Sequence, residues 1–547
     1  MIQNAAPSAE SKHVVVVGGG LAGLASATEL ASHGLRVTII EKNDHLGGKM
    51  NVLEKDGYTF DMGPTIITMP QVLRGILRRA GQRVEDRIDL VNLDPQWRCF
   101  YDDGTIVDLL QRAEAMAKAL DAQFPDHKPG DGYLKFIEHS RRMFRLSEKV
   151  FFYKDLGAMT DMMASPPKEP GIMGDVLAMR LHQTVGKTAH SMINEPHMQQ
   201  LVEHFLQYVG SSPFLAPSIL TLIASAQVDQ GCWYPMGGTR MVARSLAGTL
   251  EDMPNVAIVT GAGVVKIHTD SGRAVSVELD NGRVITADAV VSNCDSQRTY
   301  RDLMAGPEAD RGLAQIQKKY HPACSGVVFY LGLDRQYDHL AHHNFLFSGS
   351  SQSEFDDIYT KGVPAQDPTL YLAVPSRTDP HQAPEGHEAL YVLIHTPYKR
   401  PGQTWRGAGG LLERYRPIII EKLKTCGKMP DIEDHIRVEE HLTPDEIEQW
   451  YNAEGGAIYG LASHGRLAGG FKPRNRSKVV NGLYLAGGSA NPGPGVPMVL
   501  MSGVTAARSV VQDFGFPTND AHLSTVEDAD SPVRTRPASP AREPAGV

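Results

Sequence analysis

The hydrophobic positions change period along the chain, and each change marks an element. His13–Val17 runs into four valines in a row, the mark of a strand buried on both faces, and stops at a glycine cluster. Residues 21–33 return to helical spacing, and 36–41 form a second short apolar strand, so the chain opens on a strand–helix–strand unit. From about 70 to 231 helical periodicity alternates with loops, and little strand character is predicted. Residues 255–291 read as a run of strands broken by the turns Asp270-Ser271-Gly272 and Asp280-Asn281-Gly282-Arg283. Further strands are expected at 327–331, 389–394 and 482–486, and helices at 411–426, Pro444–Tyr451 and about 499–514. The segment 517–547, rich in Pro, Ser, Asp and Arg, cannot build a core and is expected to be disordered.

Composition narrows the class. A chain of 547 residues exceeds what one hydrophobic core usually supports, so two domains are expected. A formal net charge of −9 gives no steering toward nucleic acid, and no nucleic-acid partner is expected. The five cysteines form no C-x-x-C pair, which argues against a disulfide framework or a zinc site and for a reducing compartment. Residues 1–11 have neither the basic start nor the apolar run of a signal peptide. The longest apolar stretch, 213–226, is interrupted by Pro217, Ser218 and Thr221 and falls short of the ~20 residues a spanning helix needs.

The sharpest chemistry lies at Gly18-Gly19-Gly20-Leu21-Ala22-Gly23, where Gly18, Gly20 and Gly23 fill G-x-G-x-x-G between a strand and a helix. The first glycine allows the tight turn, the second lets backbone approach a diphosphate, and the third lets the helix lie close on the sheet. The helix N-terminus offers N–H groups and partial positive charge. Glu41 closes the next strand roughly 20 residues on, where a carboxylate binds ribose hydroxyls. Two later segments, Gly47-Gly48-Lys49 and Asp61-Met62-Gly63-Pro64-Thr65, supply further close backbone approach, as a long cofactor such as FAD requires. The chain has no second fingerprint for a separate pyridine nucleotide.

With these landmarks stand Trp233-Tyr234-Pro235-Met236-Gly237-Gly238, Val290-Val291-Ser292-Asn293, Pro473-Arg474-Asn475-Arg476-Ser477, and the stretch 482–503 with its loop Pro492-Gly493-Pro494-Gly495-Val496-Pro497-Met498. In this order they resemble the phytoene-desaturase-type carotenoid oxidoreductases, within the amine-oxidase-like flavoproteins, over about 13–514. The resemblance implies an α/β fold: a Rossmann-like FAD-binding domain assembled from 12–95, 232–300 and 475–515, and a mixed α+β substrate and membrane-associating domain from 96–231 and 301–474. It implies FAD held by Gly18, Gly20, Leu21, Ala22, Gly23, Glu41 and Lys42 at the adenosine end. Gly48, Lys49, Gly63 and Pro64 would meet its middle, Val264 and Val265 the adenine, and Gly487, Gly488, Val496, Pro497 and Met498 the ring end. Lys49 stands where the family often has arginine, keeping the charge and losing the planar fork.

The resemblance further implies desaturation of a phytoene- or diapophytoene-type polyene by hydride transfer to flavin, with a quinone or dioxygen as electron acceptor. Terminal-methyl oxygenation, ketolation and isomerisation share the scaffold, and a non-catalytic prenyl-lipid escort role is the alternative of a different class. Glu138 and Arg141, three apart on one helical face, match the family's acidic-x-x-Arg helix and are the candidate catalytic pair. Arg141, Arg142, Arg145 and Lys149, interleaved with Met143, Phe144 and Leu146, suit a basic amphipathic face on anionic lipid, so peripheral attachment to the cytoplasmic side of the membrane is expected. His339-x-x-His342-His343 mimics a di-iron histidine box, but such sites need several boxes; it is read as a polar surface loop, and no metal is expected.

Overall fold

In the computed structural model, residues 12–164, 174, 178–466 and 469–518 are described; most of the segment expected to be disordered, 519–547, lies outside them. A five-stranded parallel sheet runs in the order Leu483–Leu485, Ala289–Ser292, His13–Val17, Arg36–Ile40, Val256–Val259. Its central valines are fully buried, which is why the sequence shows an unbroken apolar run there instead of alternation. The first helix, Leu21–Ser32, packs against the last, Val496–Asp513, so the two ends of the chain share one core. This is a Rossmann-like α/β arrangement. None of the five strands comes from 96–231 or 301–474.

A seven-stranded mixed sheet stands beside it in the order Ile436–Leu442, Ser325–Leu333, Glu388–Thr396, Leu370–Ala373, His343–Leu346, Trp97–Phe100, Ile106–Leu109. Here the period of two is strict. Leu390, Val392 and Ile394 pack on the helix Leu411–Lys424, whereas Ala389, Tyr391 and Leu393 face the opposite core. That second face is covered by Gly130–Val150, Pro196–His204 and Leu222–Val228.

Two sequence expectations need correction. The stretch 70–231 holds three short strands, Leu90–Leu93, Trp97–Phe100 and Ile106–Leu109; at four residues each, alternation is too brief to stand out from helical spacing. Residues 339–343 are no surface loop: His342 and His343 are buried, bonded through Nδ1 to Thr378 Oγ1 and the Tyr371 hydroxyl. Among the described residues, no helix is long and apolar enough to cross a membrane.

Candidate active site

The first strand ends at Val17, and the chain turns through Gly18 at φ +95°, a backbone state open to glycine. Among the described residues no side chain caps the helix that follows; Gly20, Leu21 and Ala22 at its start line a cavity of about 490 Å³. Glu41 is buried on the same wall. Its Oε2 accepts the Gly19 N–H at 2.7 Å, and its Oε1 accepts the Asn43 N–H and Nδ2 at 2.9 and 3.0 Å. Two donors occupy Oε1, and Oε2 keeps one lone pair for a further donor such as a sugar hydroxyl.

Asn293 joins the two ends of the chain. Its Oδ1 accepts the Gly23 N–H at 3.1 Å, its Nδ2 donates to the Ala486 carbonyl at 3.1 Å, and its backbone N–H meets Val17 O at 2.8 Å. A Cβ at Gly20 or Gly487 would stand 2.8 or 2.7 Å from this side chain, so only bare backbone fits on either side. The cavity continues past it to Gly487, Gly488, Val496, Pro497 and Met498. Thus the glycine turn at one end and the glycine–proline loop at the other border a single space.

Lys49 reaches across the cavity and donates to the carbonyls of Ala457 and Ile458 at 3.3 and 3.0 Å. Loss of hydration holds its ammonium pKa down at about 8, against a smaller opposing pull from Asp295. The Lys49 carbonyl lies 2.1 Å from where a Cβ of Gly63 would be, so the two glycine-bearing segments are pressed together. Asp61 Oδ1 accepts the Thr239 N–H at 2.8 Å, which ties the second segment to the turn after Trp233–Gly238.

Beyond these turns the cavity opens between aromatic walls. Trp97, Phe345, Tyr371, Tyr391 and His395 come from the large sheet, and His204 and Tyr208 close over them. Burial keeps the imidazole of His395 down at about 3 and that of His204 well below its ordinary value, so both are neutral near pH 7. The Tyr371 hydroxyl is bonded to Thr65 Oγ1 at 2.5 Å and His343 Nδ1 at 2.8 Å, and burial keeps the phenol protonated. Aromatic rings thus make up much of the wall of this buried chamber.

Of the residues assigned from sequence, Gly18, Gly20, Leu21, Ala22, Glu41, Lys42, Gly48, Lys49, Gly63, Pro64, Val264, Gly487, Gly488, Val496, Pro497 and Met498 border this one cavity. Gly23 stands behind it, its N–H taken by Asn293. Val265 is 47% exposed, since neighbouring strand residues point to opposite sides.

Glu138 and Arg141 are a correction: they do not border the cavity. The Glu138 side chain is 62% exposed and pairs with Arg145, and Arg141 is held by Asp229 at 2.7 Å. Glu138→Gln is accordingly expected to keep turnover within about twofold of the parent, as for other exposed ion pairs, in a steady-state assay. The membrane-facing reading of this helix also loses its apolar half, because Met143, Phe144 and Leu146 are buried in the core. Sequence reasoning missed Asn293 as a clamp, although its place directly after a buried strand was a usable signal. It also missed Tyr371, His204, Gln207 and His395, for which spacing offers none.

A family model described as flavin containing amine oxidoreductase matches residues 21–511. The chain is 36% identical over 513 residues to a 4,4'-diapolycopene oxygenase of Methylomonas sp, covering 93% of this chain and 99% of the relative. It is 35% identical over 499 residues to a 4,4'-diaponeurosporene oxygenase of Staphylococcus haemolyticus, covering 91% and 97%. Among solved structures, an oxidoreductase from Methanosarcina mazei superposes with a TM-score of 0.60 at 17% identity, over 91% of this chain and all of that one. A putrescine oxidase bound to putrescine gives 0.56 at 15%, over 92% and 99%. These two likenesses speak to the fold alone.

Proposed function

The chain belongs to the flavin-containing amine oxidoreductase family and is an FAD-dependent oxidoreductase, and on that footing we propose that it oxidises the terminal methyl group of a linear carotenoid with dioxygen. Per turnover to the aldehyde, one methyl group and one dioxygen become one aldehyde and one water, which balances without a further reductant. Desaturation stood first in the sequence reading. The relatives at 34–36% identity, each named for oxygenation of a diapolycopene or diaponeurosporene, favour the terminal oxidation instead. The observation that carries the proposal is the continuity of one cavity from the uncapped helix to the aromatic chamber.

The residues present fit FAD. The first helix would hold the diphosphate, Glu41 the ribose, and the loop with Gly488 and Val496 would close over the ring. Bound FAD supplies reversible two-electron redox chemistry. The aromatic walls orient the polyene and exclude water, while Tyr371 keeps its proton on the hydroxyl and acts as a hydrogen-bonding group, not a base. We also propose that the chain works at the cytoplasmic membrane surface, where such a substrate dissolves; co-sedimentation with liposomes tests this, and protein remaining in the supernatant would refute it.

Incubation of the FAD-loaded enzyme with diaponeurosporene under isotopic dioxygen tests the reaction. Label in a terminal alcohol or aldehyde, absent under argon, is expected. A product with more conjugated double bonds and no oxygen would overturn the reading in favour of desaturation.

Lys49 provides a pH signature. In the free protein it loses its proton near pH 8, and an anionic diphosphate favours the protonated form, so FAD affinity falls as pH rises through 8. From pH 7 to 9 the dissociation constant is expected to rise about tenfold, worth about 1.4 kcal/mol. Lys49→Gln should flatten the profile in a flavin-fluorescence titration.

A further inference from the structure

The aromatic chamber holds a polar, unsatisfied spot. Gln207 and His204 border the cavity, and each is only 5% exposed. Among the described residues, neither the amide nitrogen nor the amide oxygen of Gln207 has a hydrogen-bond partner, and neither has Nε2 of His204. The neighbouring Tyr208 is different: its hydroxyl is spent on Gln227 Oε1. A buried donor or acceptor left unpaired costs stability, and three such atoms within one turn of chain are costly unless a ligand meets them.

Their place in the chamber narrows the ligand. Gln207 lies in the turn Phe205–Val209, directly after the helix that ends at His204. The ring of His204 sits 4.6 and 5.2 Å from those of Phe345 and Phe347. The same turn abuts the C-terminal loop: a Cβ at Gly495 would stand 3.7 Å from the Tyr208 carbonyl. The polar spot is therefore set among aromatic rings beside the loop that closes the cavity. A hydrocarbon end would leave all three atoms unmet. A hydroxyl can donate to the amide oxygen and accept from the two nitrogens, meeting all three, whereas a carbonyl accepts from the two nitrogens alone; either oxygen function meets more of them than a hydrocarbon does.

Resting on the reading of a linear polyene substrate, we propose that Gln207 and His204 recognise an oxygen function at the polyene terminus, so the enzyme binds a chain already bearing a terminal alcohol or aldehyde in preference to the bare hydrocarbon. Neutral imidazole can serve such a partner as either donor or acceptor. The reaction that must precede this binding is a first oxidation of the same terminal carbon, and the enzyme's own first product is then its better ligand.

The test uses the FAD-loaded full chain, without dioxygen. Three probes in detergent micelles are titrated and followed by the polyene absorption shift: diapolycopene, its terminal alcohol and its terminal aldehyde. The expected result is tighter binding of the alcohol or the aldehyde by about tenfold or more, since a site built to hydrogen-bond a group discriminates against the analogue lacking it. Gln207→Leu should reduce that ratio below about twofold. A wild-type ratio below about twofold for both oxygenated probes overturns the proposal with no variant needed, as does a folded Gln207→Leu protein that keeps the full ratio. If diapolycopene and both derivatives all fail to bind, the polyene reading falls and this site falls with it; equal binding of all three removes the terminal-oxygen site alone.

Discussion

Gly503→Val should yield protein that retains almost no FAD and is destabilised by about 3 kcal/mol, the upper part of the usual overpacking range. Gly503 lies on the last helix where it crosses the first. A Cβ there would stand 2.2 Å from the Ala22 carbonyl oxygen and 3.0 Å from Ala25 Cβ, and the Gly503 carbonyl accepts the Ser26 hydroxyl at 2.8 Å. Neither backbone can yield locally, so the helices must part. Both carry the site at their N-termini: one begins at Leu21 beside the glycine turn, the other at Val496 in the closing loop. Parting them opens the cofactor cavity from both sides. Flavin-to-protein absorbance after gel filtration, together with a denaturant midpoint, measures the effect; wild-type flavin content would show that the crossing tolerates a side chain.

Asn293→Leu is the second large effect, with an expected loss of about a hundredfold in FAD affinity. Leucine keeps the volume and removes both polar atoms, leaving the Gly23 N–H and the Ala486 carbonyl without partners. At about 1–3 kcal/mol for each unmet group, two such groups account for the drop. The damage falls on binding more than on folding, because the clamp joins two loops whose strands are already paired in the parallel sheet. Fluorescence titration of the apoprotein gives the constant. A value within threefold of the parent would mean that the strands alone hold the loops together.

The two variants divide what each level of structure supplies. The dinucleotide turn was legible because its requirements are local. Four buried valines, Gly18 and Gly20, and Glu41 at the end of the next strand lie within thirty residues, and each answers to backbone sterics or to the reach of one carboxylate. The strands within 255–291 and at 327–331 and 389–394 were legible for a similar reason, since turn residues and apolar runs report on neighbours along the chain, whereas the strands His343–Leu346, Leu370–Ala373 and Ile436–Leu442 were not. The final helix begins slightly earlier than its periodicity suggested, at Val496, because the preceding glycine–proline loop leads straight into it.

The chamber was not legible. Residues 389–394 read as a strand, yet both of its faces are apolar, and nothing in the run says that Tyr391 meets the cavity while Val392 meets a helix. Glu138 and Arg141 show the converse. Their spacing is right for a catalytic pair and equally right for a surface ion pair, and packing of the helix through Phe136, Ile137 and Ser140 turns them outward. By itself, then, the sequence determined the nucleotide-binding turn, the strands that flank it and the class of cofactor, because short-range sterics decide those. Only the tertiary structure decided which side chains surround a substrate and that Asn293 clasps the two ends of the chain, because contacts between residues hundreds of positions apart leave no local pattern.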